Sequence, residues 1–109
     1  MPLTVNFGRK MRSRAKIING RWERQIPIKW KMSGGVWRTD MFKSVLADDR
    51  LKVAAFICKG GPTIVVPAED LRRVLPLGSD HYGGQIWGPF SIDPDAKSID
   101  GRAVKMTLE

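Results

Sequence analysis

His81 is the only histidine and Cys58 the only cysteine in this chain of 109 residues. A zinc site of the ordinary nitrogen and sulfur type needs three or four such ligands, so no such set is available here. Asp80-His81-Tyr82, in a Gly-flanked stretch, offers acid–base groups in principle, but the residue types fit a surface loop better. Asp48-Asp49 and Asp93-Pro94-Asp95 carry oxygen donors for a hard cation, yet their spacing is that of turn punctuation. Phosphate-cradling loops, dinucleotide fingerprints and nucleophile elbows are all missing from the sequence. Cys58 closes an apolar run, where a buried and unreactive thiol is expected. As the lone cysteine it permits no disulfide within the chain, in keeping with a reducing compartment. The expectation is a protein with no catalytic residues, no metal ligands and no cofactor.

What the chain does have in quantity is positive charge. It carries 19 Lys and Arg against 11 Asp and Glu, a net of +8. Residues 1–38 hold ten basic side chains and a single acid, Glu23, a net of +9. Residues 39–109 balance nine basic against ten acidic, a net of −1. Charge segregated in this way sets up a local positive field that concentrates polyanions. The bland alternative is a solvated basic arm, with residues 1–14 the natural candidate.

The elements that would position these cations start at Asn19-Gly20. Both residues tolerate the positive φ of a two-residue hairpin turn. That turn sets Ile18 opposite Arg21, Ile17 opposite Trp22, Lys16 opposite Glu23, Arg14 opposite Gln25 and Lys10 opposite Lys29. Side chains alternate between sheet faces. One face then collects Met11, Ala15, Ile17, Trp22, Ile26, Ile28, Trp30 and Met32, interrupted by Ser13 and Arg24. The other collects Lys10, Arg12, Arg14, Lys16, Arg21, Glu23, Gln25, Lys29 and Lys31. Pro27 lacks a ladder donor, so a bulge or an edge position is expected there. Trp22 and Trp30 fall in phase with the isoleucines and read as core residues rather than base-stacking platforms. Trp37, beyond Ser33-Gly34-Gly35, is the expected exposed aromatic, with Arg38 beside it.

The remainder reads as a compact α+β unit. Thr39 is placed to cap a short helix with Met41, Phe42, Val45 and Leu46 on one face, broken at Asp48-Asp49-Arg50. Leu51–Cys58 is apolar on both faces and reads as a central strand, and Thr63–Val66 as a strand returning beside it. Pro67 opens a helix with Leu71, Val74 and Leu75 buried, Glu69 and Asp70 at its positive end and Arg72 and Arg73 at the other. Gln85–Ile92, interrupted at Gly88-Pro89, and Ala103–Leu108 supply further strands. The expected fold is a single basic α+β domain over residues 1–109. It comprises a small, mostly antiparallel sheet with a long N-terminal β-hairpin and one or two short helices. No apolar run reaches the ~20 residues of a membrane span, and the first residues lack the order of a signal peptide. The expected location is cytoplasmic.

The order of motifs resembles the second half of PD-(D/E)XK nuclease domains across residues 15–92. The residues concerned are Ile26-Pro27-Ile28-Lys29-Trp30-Lys31, the strand Val53–Cys58, and Ile64-Val65-Val66-Pro67-Ala68-Glu69-Asp70-Leu71, an "IPA"-like helix entry. The resemblance implies a metal-dependent nuclease fold with a signature lysine on the first of these strands. That family also has an acid on the preceding strand and Glu, Asp or Gln two residues before the lysine. Here residues 1–22 contain no acid, and the corresponding position is Pro27 for Lys29 or Lys29 for Lys31. Neither can ligate magnesium.

Three functions are therefore in view. The first is a nucleic-acid-binding protein without catalysis, DNA being favoured over RNA, whose contacts are Lys10, Arg12, Arg14, Lys16, Arg21, Gln25, Lys29, Lys31, Trp37 and Arg38. The second is a PD-(D/E)XK-like nuclease, or a nuclease subunit completed by another chain. The third is a basic adaptor or inhibitor docking on an acidic protein surface. A ribbon with an open edge could also pair across a twofold axis, making a homodimer.

Overall fold

Turn chemistry sets the first element. In the computed structural model, which describes residues 16–18, 20–28, 30–75, 80–81 and 86–109, strands β1 (Lys16–Ile18) and β2 (Arg21–Ile28) form an antiparallel hairpin. Lys16 pairs with Glu23, Ile17 with Trp22 and Ile18 with Arg21, the register that the Asn19-Gly20 turn predicts. Gly20 has φ 76°, a conformation that glycine reaches without strain. Asn19 and the N-terminal continuation of the hairpin lie outside the described residues.

The chain then continues through β3 (Trp30–Lys31), a 3-10 turn (Ser33–Gly35), β4 (Trp37–Phe42) and α1 (Lys43–Ala47). It returns as β5 (Val53–Cys58) and β6 (Thr63–Pro67), followed by α2 (Ala68–Val74). β7 (Asp80–His81), β8 (Ile86–Asp93), β9 (Ser98–Ile99), β10 (Arg102–Ala103) and β11 (Thr107–Leu108) complete it. The strands divide between two sheets. One has the order β1-β2-β5-β6-β11; the other runs β10-β9-β8-β4-β3, with β7 also on β8. Among the described pairings only β2 with β5 is parallel, from Glu23 opposite Val53 to Ile28 opposite Cys58. Parallel neighbours need a long crossover, and β3, β4 and α1 provide it by passing through the second sheet. The fold is a small, mostly antiparallel α+β domain.

The core lies between the sheets, where Ile28, Phe56, Ile64 and Val66 meet Trp37, Met41, Phe90, Ile92 and Ile99. The Phe56 and Phe90 rings cross edge to face with centroids 6.1 Å apart, tying the two sheets at their centre. Leu71, Val74 and Leu75 are buried from the α2 side, as their spacing predicts. Arg72 does more than complement the end of its own helix. Its Nε donates to the Leu46 carbonyl and its Nη2 to the Asp48 carbonyl, each at 2.9 Å, taking up acceptors that the end of α1 leaves open.

Two expectations are corrected here, at Thr39 and in the tail, and the one at Pro27 is answered on its β5 side alone. Thr39 does not cap a helix: it lies inside β4, opposite Phe90, and the helix starts only after Phe42. Pairing along β8 offers residues 37–42 more hydrogen bonds than a short isolated helix would. Pro27 sits in unbroken register opposite Ile57, with no bulge on that side. The tail is two two-residue strands rather than one, because Val104 and Met106 turn into the core between them. Among the described residues no helix is long and apolar enough to cross a membrane.

Candidate nucleic-acid interface

Alternation along β2 decides which side chains meet the core and which face outward. Ile28 is buried, and Trp22 and Ile26 pack against the core cluster, while Gln25 and Pro27 are exposed on the opposite face. Arg24 falls on the core-facing side, as its phase predicts. Partial burial holds its guanidinium pKa below the usual value, and it has no hydrogen-bond or ion-pair partner among the described residues. Trp22 is covered by Arg50, whose guanidinium carbon lies 4.8 Å from the ring centroid. Two bonds to Asp48, at 2.9 and 2.8 Å, hold Arg50 there and raise its pKa. A tryptophan packed in this way is not a free stacking platform. Ile17, assigned to the apolar face, is instead 63% exposed.

The outward face is less uniformly cationic than alternation alone implies. Glu23 is 3% exposed. Arg21 Nε donates to its Oε1 at 3.2 Å and Gln25 Nε2 to its Oε2 at 3.3 Å, so the carboxylate is buried and bonded on both oxygens. Arg21 also reaches Glu109, with Nη2 3.6 Å from Oε2. Arg21 thus serves as an internal counter-ion as well as a surface cation.

That second ion pair reports the shape of the sheet. The Glu109 amide and carbonyl bond to Thr63, so its backbone is fixed beside β6. Glu109 lies on the register row of Thr63, Ile57 and Pro27, so Arg21 is displaced from it by roughly 14 Å across the strands and about 20 Å along them. Side chains meet across that span because the sheet curls toward this face. Ala55 and Val65, register partners in the line Gln25–Ala55–Val65–Thr107, are buried here without joining the core cluster. The outer face of the five-stranded sheet is therefore a shallow concavity with an apolar floor. Its rim carries Arg21, Gln25 and the exposed Ile57, and Lys16 lies at its edge by register with Glu23.

Trp37 is the clearest correction. Expected to be exposed, it is 2% exposed and belongs to the core. It is the first residue of β4, opposite Ile92, and its ring lies against the β5–β6 turn. A side chain at Gly61 would come within 2.5 Å of Trp37 Cζ2. Lys31, its partner across β3 and β4, is exposed with Nζ 5.7 Å from the ring centroid. Arg38 is half-buried on the other side of that sheet, where its Nη1 donates to Ser91 Oγ at 3.1 Å.

Of the candidate contacts, Arg21 and Gln25 thus share the concave face, Lys16 pairs with Glu23 on the strand at its edge, Lys31 stands on the edge strand of the second sheet, and Arg38 is turned away. Lys10, Arg12, Arg14 and Lys29 lie outside the described residues, as does Tyr82. Asp80 and His81 pair with β8 rather than forming a loop. Asp93 caps its own turn, accepting from the amides of Asp95 and Ala96 at 3.0 and 3.1 Å. Cys58 is buried, and its burial pushes the thiol up to about 11. Among the described residues no three His, Cys, Asp or Glu side chains cluster as metal ligands would. Beside the end of β2 stands an exposed cation outside the candidate contacts, Lys59, whose amide donates to the Ile28 carbonyl at 2.9 Å. Its position after an apolar strand, in a Gly-Gly-Pro turn, was the available signal.

No protein-family model matches the sequence, and comparison with curated proteins and with solved structures finds no significant match.

Proposed function

We propose that this chain binds nucleic acid, DNA in preference to RNA, through the cationic hairpin and the concave sheet face that continues it, without catalysis of its own. The observation that carries the reading is the segregation of charge: residues 1–38 hold a net of +9 in a chain of +8, and they supply the strand that borders the concavity. Lysine and arginine contacts to phosphate provide most of the affinity in such an interface, by releasing condensed counterions. Gln25 and the arginines are suited to reading base edges. The packing of Trp22 and Trp37 argues against a stacking mode and favours phosphate-dominated contact. Glu23 has both oxygens engaged by Arg21 and Gln25, so nothing in this arrangement favours the nuclease reading.

Fluorescence-anisotropy titrations against single- and double-stranded DNA and RNA at two salt concentrations test it. The expected result is binding that weakens steeply with salt, strongest for DNA, and abolished in Arg14→Glu/Lys31→Glu. Both substitutions leave the Arg21–Glu23 pair in place, and thermal melts check that the double variant folds. Equal affinity in the wild type and the double variant would overturn the reading.

A further inference from the structure

Lys59 is the residue after Cys58, and Cys58 is the register partner of Ile28. Its amide carries the β2–β5 ladder one bond further, to the Ile28 carbonyl at 2.9 Å, and its side chain is exposed beside the end of β2. The turn that follows is unusually open to close approach. Gly60 and Gly61 carry no side chains, Gly60 has φ 74°, and a Cβ at Gly60 would meet nothing within 4 Å. Trp37 braces the turn from behind through Gly61, and the same ring carries the Lys31 ammonium. Residues 50–68 contain no acid, so no carboxylate from this hairpin competes for Lys59. The nearest carboxyl side chain by backbone position is that of Glu109, which bonds to Thr63 through its backbone and whose side chain is turned to Arg21.

We infer that Lys59 is a further phosphate contact, and that a nucleic-acid backbone runs along β2 of the concave face, from Arg21 to the Lys59-Gly60-Gly61 turn beside its far end. The inference rests on the nucleic-acid reading and adds to it the direction of the path. An ammonium on a rigidly braced, side-chain-free turn can approach a phosphate oxygen closely, whereas the same charge on a crowded strand cannot. One such contact contributes about one unit to the slope of log affinity against log salt.

The test compares Lys59→Ala with Lys105→Ala, which removes the same charge from an exposed residue beside α2. A double-stranded DNA of about 20 base pairs is titrated across 50–200 mM salt, with thermal melts to show that both variants fold. Lys59→Ala is expected to weaken binding at 50 mM salt and to lower the salt slope by about one, so that its deficit shrinks roughly threefold by 200 mM. Lys105→Ala is expected to leave the slope unchanged. Equal slopes for Lys59→Ala and Lys105→Ala overturn the assignment of Lys59 while leaving the wider reading intact. A wild-type protein that binds none of the nucleic acids overturns both.

Discussion

Arg21 Nε donates to Glu23 Oε1 across 3.2 Å, joining the one acid of the basic segment to a cation two residues away on the same strand face. The carboxylate is 3% exposed and the arginine side chain 33%. Glu23 is tolerable in the sheet because Arg21 and Gln25 satisfy it, and Arg21 is held in place in return.

Replacing Glu23 by Gln separates these two roles. The variant loses a buried charge-assisted bond, and a loss of about 1–3 kcal/mol is expected in urea unfolding. It also releases Arg21, so DNA affinity at low salt rises and the salt slope steepens by about one. A Glu23→Gln protein that folds yet binds DNA more weakly would contradict this division of labour.

Trp37 and Gly61 make a packing pair that stacking models would misread. Gly61→Ala forces a methyl group toward the Trp37 ring and is expected to destabilise by about 1–3 kcal/mol. Trp37→Ala leaves a core cavity and is expected to cost about 3–5 kcal/mol. Denaturant titration measures both. If Trp37→Ala kept its stability but lost DNA affinity, the tryptophan would be a ligand contact after all.

The Phe56–Phe90 edge-to-face pair is the link between the sheets. Phe56→Ala is expected to cost about 3–5 kcal/mol. A double-mutant cycle with Phe90→Leu should return a coupling of roughly 0.5–1.5 kcal/mol. Additive losses would place the inter-sheet contact elsewhere.

Cys58 supplies a pH signature. Its native thiol is pushed up to about 11 by burial, whereas an unfolded cysteine ionises near pH ~8.5. Below the unfolded value both states are protonated, and the preference is fully present. As pH rises toward 11, the unfolded chain ionises first, so this part of the stability is lost. The melting-temperature advantage of the wild type over Cys58→Ala should therefore narrow between pH 8 and 11. Iodoacetamide at pH 8.5 should react on the order of a hundredfold more slowly with the native thiol than with the denatured one, judged by the thiolate fractions. Comparable rates in the two states would show the thiol to be exposed.

Much of this could be read along the chain. The hairpin register at residues 16–23, the central strand ending at Cys58, its return at Thr63 and the buried stripe of α2 all rest on local periodicity and turn chemistry, which a single strand or helix carries by itself. Trp37 and Thr39 were not legible in that way. A tryptophan after a Gly-Gly turn has no periodic neighbours to assign it to a face, and a Thr-Asp pair before apolar residues signals a helix unless a partner strand competes. Both outcomes depend on β8, some fifty residues away, whose pairing with β4 buries Trp37 and extends the strand through Thr39.

The sequence by itself determined the charge asymmetry, the mostly antiparallel α+β class and the inward phase of Trp22, Ile26 and Ile28 on β2. Tertiary structure alone decided how that charge is disposed. It buried Glu23 under Arg21, turned Arg38 to the far sheet, and set Lys59 after the partner of Ile28 through a parallel pairing. The physical reason is that alternation fixes only the face of a side chain on its own strand. Which cations share a surface is settled by strand order and sheet curl, and these come from packing between segments distant in the chain.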